Sequence, residues 1–141
     1  MTIQEVLPHR SPFLFVDDIQ IADQKKIVGY KTFTEDEFFF AGHFPGYPIV
    51  PGVLLIEAMA QCGGAGIRKA GIMEKTSIYF LVTVEKAKFR RQVHPNEQVR
   101  MEITNLRVTP AMLKQQGKAY VGKELAAEAT WMALIKEETK Q

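Results

Sequence analysis

Cysteine is nearly missing from this chain. One thiol in 141 residues has nothing to pair with inside the molecule, and Cys62, beside Ala60, Gly63 and Gly64, has the surroundings of a small buried packing residue rather than an exposed nucleophile. A reducing compartment fits that usage. Also missing is an excess of either charge: 18 Lys and Arg stand against 16 Asp and Glu, a formal net charge of +2, so no global field argues for a nucleic-acid partner. The longest apolar run, IVPGVLLIEAMA, is broken by Pro51 and Glu57 and falls short of the roughly 20 residues a membrane helix needs. The N-terminal MTIQEVLPHR has no basic start followed by a long apolar run and a small-residue cleavage site. The ligand spacing of a zinc site does not occur. These gaps lead us to expect a cytoplasmic protein without membrane insertion, nucleic-acid binding or a metal.

The material present is that of a soluble globular domain, 46% hydrophobic and 24% charged. At this length one domain over 1–141 hides roughly 70% of the surface its unfolded chain exposes, so neither linker nor second module is expected. Thr2 can cap a short helical turn that Pro8 stops. Phe13–Asp23 and Ile27–Phe33, separated by polar Gln24-Lys25-Lys26, read as a β-hairpin. Thr34–Glu37 can start a brief helical turn, followed by a Gly/Pro-rich loop from Gly42 to Gly52. Val53 to about Ala70 reads as one helix, apolar around most of its circumference and so buried on most sides. Its Gly63, Gly64 and Gly66 each cost about 1 kcal/mol relative to alanine, which close packing has to offset. Three or more strands follow, with turns at His94-Pro95-Asn96 and around Gly117 and Gly122, and 136–141 reads as a frayed tail. The sum is an α+β fold with an antiparallel sheet.

The apolar stretch FFFAGHFPGYPIVPGVLLIEAMAQ carries two titratable groups, His43 and Glu57. Taken alone, a histidine between Gly42 and Phe44 is more often structural than catalytic. Glu57 in LLIEAMAQ has to reach a partner, face a cavity or stay protonated, because an unpartnered ionised carboxylate there would be costly; satisfying strand backbone groups is the alternative. Gln61, one helical turn on, is within reach of it. Together the two suit an elimination or hydration, in which one group takes a proton beside a carbonyl and the other protonates a departing hydroxyl. At the helix start, the free N–H groups of Gly52 and Val53 are placed to meet a carbonyl oxygen gaining negative charge, although Pro-Gly is also ordinary loop-to-helix punctuation.

GHFPGYPIVPGVLLIEAMAQ, with LPHRSPFLFVDDI before it and IYFLVTVEKAKFRRQVHPNEQV after it, closely resembles the FabZ family of (3R)-hydroxyacyl-acyl-carrier-protein dehydratases. The match runs from Leu7 to about Ile135. It implies a hot-dog fold, an antiparallel sheet wrapped around a long central helix, in dimers that often assemble into hexamers. It further implies that His43 and Glu57 are the catalytic pair, contributed by opposite subunits, and that the backbone amide of Gly52, with Val53, meets the thioester carbonyl. Gln61 would orient the glutamate, Tyr79 would gate the acyl tunnel, and Phe44 and Val50 would line it. For Tyr79, an aromatic of the sheet is the alternative. Glutamate at Glu57, with GYP and PGV where the sister FabA group has GDP and PGC, points to dehydration without isomerisation. Asn96 stands where glycine is usual, and Asn tolerates the left-handed conformation such a turn needs. No cofactor is implied, since the phosphopantetheine arm arrives with the substrate.

In EKAKFRRQV, strand alternation puts Lys86, Lys88 and Arg90 on one face and Arg91 on the other. Docking of an acidic acyl carrier protein is the functional reading, and a solvated edge that discourages aggregation is the other. Rival functions are a hot-dog thioesterase, a hydratase of enoyl coenzyme A esters, or a dehydratase-like subunit completing a heterodimer in a specialised polyene or pigment pathway.

Overall fold

In the computed structural model, which describes residues 2–74 and 77–137, one six-stranded antiparallel sheet packs around one long helix. The elements in chain order are α1 (Ile3–Val6), β1 (Asp18–Ala22), β2 (Lys26–Thr32), α2 (Gly52–Lys69), β3 (Ser77–Phe89), β4 (Gln98–Val108), β5 (Met112–Val121) and β6 (Glu124–Glu137). Across the sheet the order is β1-β2-β4-β5-β6-β3, which leaves β1 and β3 as its edges. This is the expected hot-dog fold. Among the described residues no helix is long and apolar enough to cross a membrane.

α2 begins directly after Pro51 and has no internal proline, and every residue from Ala58 to Arg68 is buried. It packs against β1, β2, β4, β5 and β6. The glycines make that approach possible. A Cβ on Gly63 would run into the amide of Gln115 on β5, and one on Gly64 into the ring of Tyr79 on β3. Alanines 126, 127, 129 and 133 keep β6 low under the helix, with Trp131 as the one bulky filler. The alanine-rich segment is therefore a strand chosen for closeness to α2.

Several boundaries differ from the sequence reading, each for a local reason. The hairpin's first strand starts at Asp18, five residues later than Phe13. Upstream, the Phe15 N–H and the Phe13 carbonyl are bonded to the side chain of Gln61 instead of to a neighbouring strand. Thr2 precedes α1 but makes no side-chain cap, and 34–37 forms turns without a helix. Gly117 is no turn: it lies inside β5 opposite Ile103 and Ala129, where the ring of Trp131 occupies the space of a side chain. The turn is at Gly122, with φ 59°. Asn96 does adopt the left-handed conformation, at φ 71°. Lys136 and Glu137 belong to β6 and pair with Ile78 and Ser77, so the tail does not begin at 136; its remainder, 138–141, lies outside the described residues.

Candidate active site

The loop ahead of α2 and the first turn of the helix enclose a cleft of about 340 Å³, bordered by His43, Val50, Gly52, Val53, Phe89 and Arg91 among others. Val50 is buried and its amide donates to the Val93 carbonyl at 2.8 Å, which ties the loop to the sheet side. Phe44 is half exposed and stacks on the His43 ring, with centroids 4.2 Å apart.

His43 Nδ1 lies 3.1 Å from the carbonyl oxygen of Ile49. A carbonyl can only accept, so Nδ1 carries the hydrogen and, in the neutral ring, Nε2 keeps the lone pair. The imidazole is thus held as a base at Nε2. Pro51 has no N–H, and the amides of Gly52 and Val53 make no hydrogen bond among the described residues, as expected for the opening turn of a helix. The Phe89 ring packs against Gly52, only 2.7 Å from where a Cβ would sit. Any side chain there would displace the wall of the cleft, so glycine leaves the amide open to a ligand.

Glu57 does not border this cleft. The structure therefore brings His43, Gly52 and Val53 together, with Val50 beside them, and leaves Glu57 and Gln61 on another side of the same helix. Gln61 is fully buried and its orientation follows from its partners. Oε1 accepts from the Phe15 N–H at 2.7 Å, and Nε2 donates to the Phe13 carbonyl at 3.0 Å and to Glu57 Oε2 at 2.9 Å. With both Nε2 hydrogens committed, Glu57 Oε2 is an acceptor, and a proton on this carboxyl group sits on Oε1. Burial pushes the Glu57 carboxyl above the ordinary glutamate range, and the Gln61 hydrogen bond partly opposes it.

Tyr79 lies on the Glu57 side rather than at the His43 cleft. Its ring packs on Gly64, its hydroxyl donates to the Ala60 carbonyl at 3.3 Å, and the guanidinium of buried Arg68 sits 5.0 Å from the ring centre. One residue the sequence reading passed over belongs here: His9, whose Nε2 is 3.8 Å from Glu57 Oε2. LPHR contained it, but nothing local signals a contact spanning 48 positions.

The expected basic face is interrupted at Lys86. Lys86 has φ 53° and the pairing of β3 with β6 slips between Glu85 and Lys88, so strict alternation is lost across that bulge. Arg90 and Arg91 follow the strand's end. Arg90 pairs with Glu128 at 3.0 Å, and Arg91 with Glu97 at 2.8 Å and with Glu124 at 3.4 Å. The Arg91 pair pulls the Glu97 carboxyl down to about 2.

A family model described as a FabA-like domain matches residues 7–130. The 3-hydroxyacyl-acyl-carrier-protein dehydratase FabZ of Desulforamulus reducens is 48% identical over 134 residues, covering 94% of both chains. The chain belongs to the FabZ dehydratase family. The FabZ of Pelotomaculum thermopropionicum is 45% identical over 139 residues, covering 95% of this chain and 96% of the relative. Among solved structures, the dehydratase heterocomplex ApeI:P of Xenorhabdus doucetiae shares the fold, with a TM-score of 0.81 at 14% identity over 99% of this chain and 93% of that one. FabZ membership agrees with the GHFPGYPIVPGVLLIEAMAQ resemblance, and that motif spans the cleft and the carboxylate alike.

Proposed function

We propose that this chain dehydrates (3R)-3-hydroxyacyl groups carried on acyl carrier protein to trans-2-enoyl groups, without moving the double bond. The observation that carries the reading is one cleft that holds a histidine fixed as a base at Nε2 and an unpaired amide at the start of an 18-residue helix. Nε2 of His43 takes the α-proton. The thioester oxygen gains charge as that C–H bond breaks, and the Gly52 N–H, aided by Val53 and the helix dipole, meets it. Glu57 gives the proton on Oε1 to the departing hydroxyl, the C–O bond breaks, and water leaves. Transfer of the proton from His43 to Glu57 restores the starting state. The chain supplies base, acid and oxyanion donors from its own atoms, and the phosphopantetheine arm enters as part of the substrate.

Glu57 stands outside the His43 cleft, so the pair is completed by a second copy, Glu57 of the partner subunit serving His43. The outer edge of β3 supports that assembly. Among the described residues it is unpaired, and Ile78, Phe80, Val82 and Val84 are each 44–48% exposed along it. An apolar edge strand of that length is covered in a stable protein. Mixing tests the arrangement. His43→Ala and Glu57→Ala chains should each lose 10²–10⁴-fold in turnover. Re-paired at random, about half of the dimers carry one intact site, and roughly a quarter of wild-type turnover returns. No recovery on mixing refutes the shared site, and wild-type-like turnover in either single variant refutes the chemistry. Enoyl formation without thiol release separates dehydration from thioester hydrolysis.

Carrier docking falls to Lys86 and Lys88, which stay exposed while Arg90 and Arg91 are paired within the chain. Reversing both lysines to glutamate should raise KM for the carrier-bound substrate several-fold at low salt and little at high salt. Equal KM at both ionic strengths refutes this surface.

A further inference from the structure

Two buried side-chain nitrogens make no hydrogen bond among the described residues, Arg68 Nε and His9 Nδ1, and the histidine has no place in the reaction just described. His9 follows α1, and its ring lies between Glu57 of α2 and Tyr79 of β3, 6.2 Å from the Tyr79 ring centre. Its backbone carbonyl is held by Arg10 Nη1 at 2.7 Å, and the same guanidinium reaches Leu7 and Gln4. Nδ1 is buried and makes no hydrogen bond among the described residues, while Nε2 faces the Glu57 carboxyl at 3.8 Å.

The tautomer follows from that asymmetry. A buried N–H without an acceptor is costlier than a buried lone pair without a donor. In the neutral ring the hydrogen therefore sits on Nε2, aimed at Glu57. While Glu57 holds its proton, burial and the two nearby guanidiniums favour the neutral form of the ring. Burial, then Arg68 of α2, then Arg10 all lower the His9 pKa, and burial keeps the neighbouring Tyr79 hydroxyl protonated.

We propose that His9 is a positioning residue for the catalytic acid, its Nε2–H joining Gln61 as a second donor to Glu57 Oε2 when the acid proton departs. This rests on the dehydration proposed above with Glu57 as the acid. At 3.8 Å the contact is longer than an ordinary hydrogen bond of roughly 3.0 Å. A neutral carboxyl group draws the N–H only weakly, and a carboxylate draws it in, because charge-assisted hydrogen bonds are shorter and stronger. The interaction thus strengthens as the reaction proceeds, and such a contact raises kcat rather than lowering KM. Gln61 alone leaves a largely desolvated anion with one donor; His9 supplies the next.

Three variants test it. His9→Gln can place an amide N–H near the position of Nε2, whereas His9→Asn and His9→Phe put no donor there. Asn and Phe should each lower kcat on the order of 10-fold at unchanged KM, the usual effect of removing a hydrogen bond to a charged group. Both should also move the alkaline limb of the pH–rate profile upward, since Glu57 then holds its proton more tightly. His9→Gln should keep both properties close to wild type. A carboxyl ¹³C titration of Glu57 without substrate should show the same upward move in Asn and Phe. If either donor-free variant does not fold, the other carries the test by itself. Wild-type kcat and an unmoved alkaline limb in the folded donor-free variants overturn the proposal, as does a Gln variant that falls with them. Failure of the wild type to form enoyl product would sink the dehydration reading instead, and the carboxyl titration would still decide whether His9 stabilises the Glu57 anion.

Discussion

Replacing Gln61 by leucine removes three hydrogen bonds at a stroke, and the three are unequal. The Phe15 N–H, whose residue is 0% exposed, loses its one acceptor among the described residues; an orphaned buried donor costs about 1–3 kcal/mol. The Phe13 carbonyl belongs to a residue 41% exposed, where water can take over, so its loss contributes little. Glu57 Oε2 loses a donor, which is felt most when the group is ionised. Leucine adds apolar burial of about the same volume and returns part of the loss. The net expectation is a destabilisation of about 2 kcal/mol at neutral pH, a large share of the 5–15 kcal/mol typical of a domain. Urea unfolding at equal chain concentration measures it, concentration being fixed because an oligomer's stability depends on it. A companion variant sharpens the test. Gln61→Glu keeps an acceptor for Phe15 but, when ionised, has no donor for Phe13 or Glu57 and sets two carboxylates side by side; its deficit should shrink at acid pH, where protonation returns a donor. A Gln61→Leu loss below about 0.5 kcal/mol would mean that Phe13–Asp17 finds other partners, and the account of why β1 begins at Asp18 would be wrong.

Two further outcomes follow from side chains already placed. Gly63→Ala gains about 1 kcal/mol of helix propensity, yet its Cβ meets the Gln115 amide that bonds Asn105 and Trp131; overpacking prevails, with a net loss of about 1–3 kcal/mol, and an unchanged or raised Tm refutes it. Glu57→Gln should lower turnover by about the same 10²–10⁴-fold as the alanine variant while stabilising the fold at neutral pH. Burial raises the Glu57 pKa in the folded chain, so the folded state holds a proton that the unfolded state releases, and stability is lost as pH rises from the ordinary glutamate value through the raised one. Glutamine has no such loss, so variant and wild type should match at acid pH and part above it; parallel pH–stability curves refute the sign.

How much of this was legible in the sequence depended on whether the deciding partner was near in the chain. α2 was legible because its start, composition and lack of internal proline are local facts. Gly117 and Gly122 look alike as letters, and only the Trp131 ring across the strand pair tells a packing glycine from a turn glycine. The late start of β1 is decided by Gln61, 46 residues beyond Phe15. The basic face is interrupted because Lys86 takes a left-handed conformation with neither glycine nor asparagine to announce it.

The site divides in the same way, and the division bears on its chemistry. That His43, Gly52 and Glu57 suit an elimination can be argued from residue types alone. Which atom of each would act cannot. The base nitrogen of His43 is set by the Ile49 carbonyl six residues away, and the proton-bearing oxygen of Glu57 by an amide that Phe13 and Phe15 hold in one orientation. A substitution in the Phe13–Phe15 segment, which among the described residues makes no hydrogen bond to Glu57, should therefore act through Gln61 on the acid. Shortening or shifting that segment frees the Gln61 amide to flip, and a flipped amide turns Oε1 toward Glu57 Oε2, where two acceptors repel unless that oxygen takes the proton. The acid proton would then point at Gln61 rather than at the departing hydroxyl. Two acids with the same residues and different buried neighbours would differ in kcat for that reason alone.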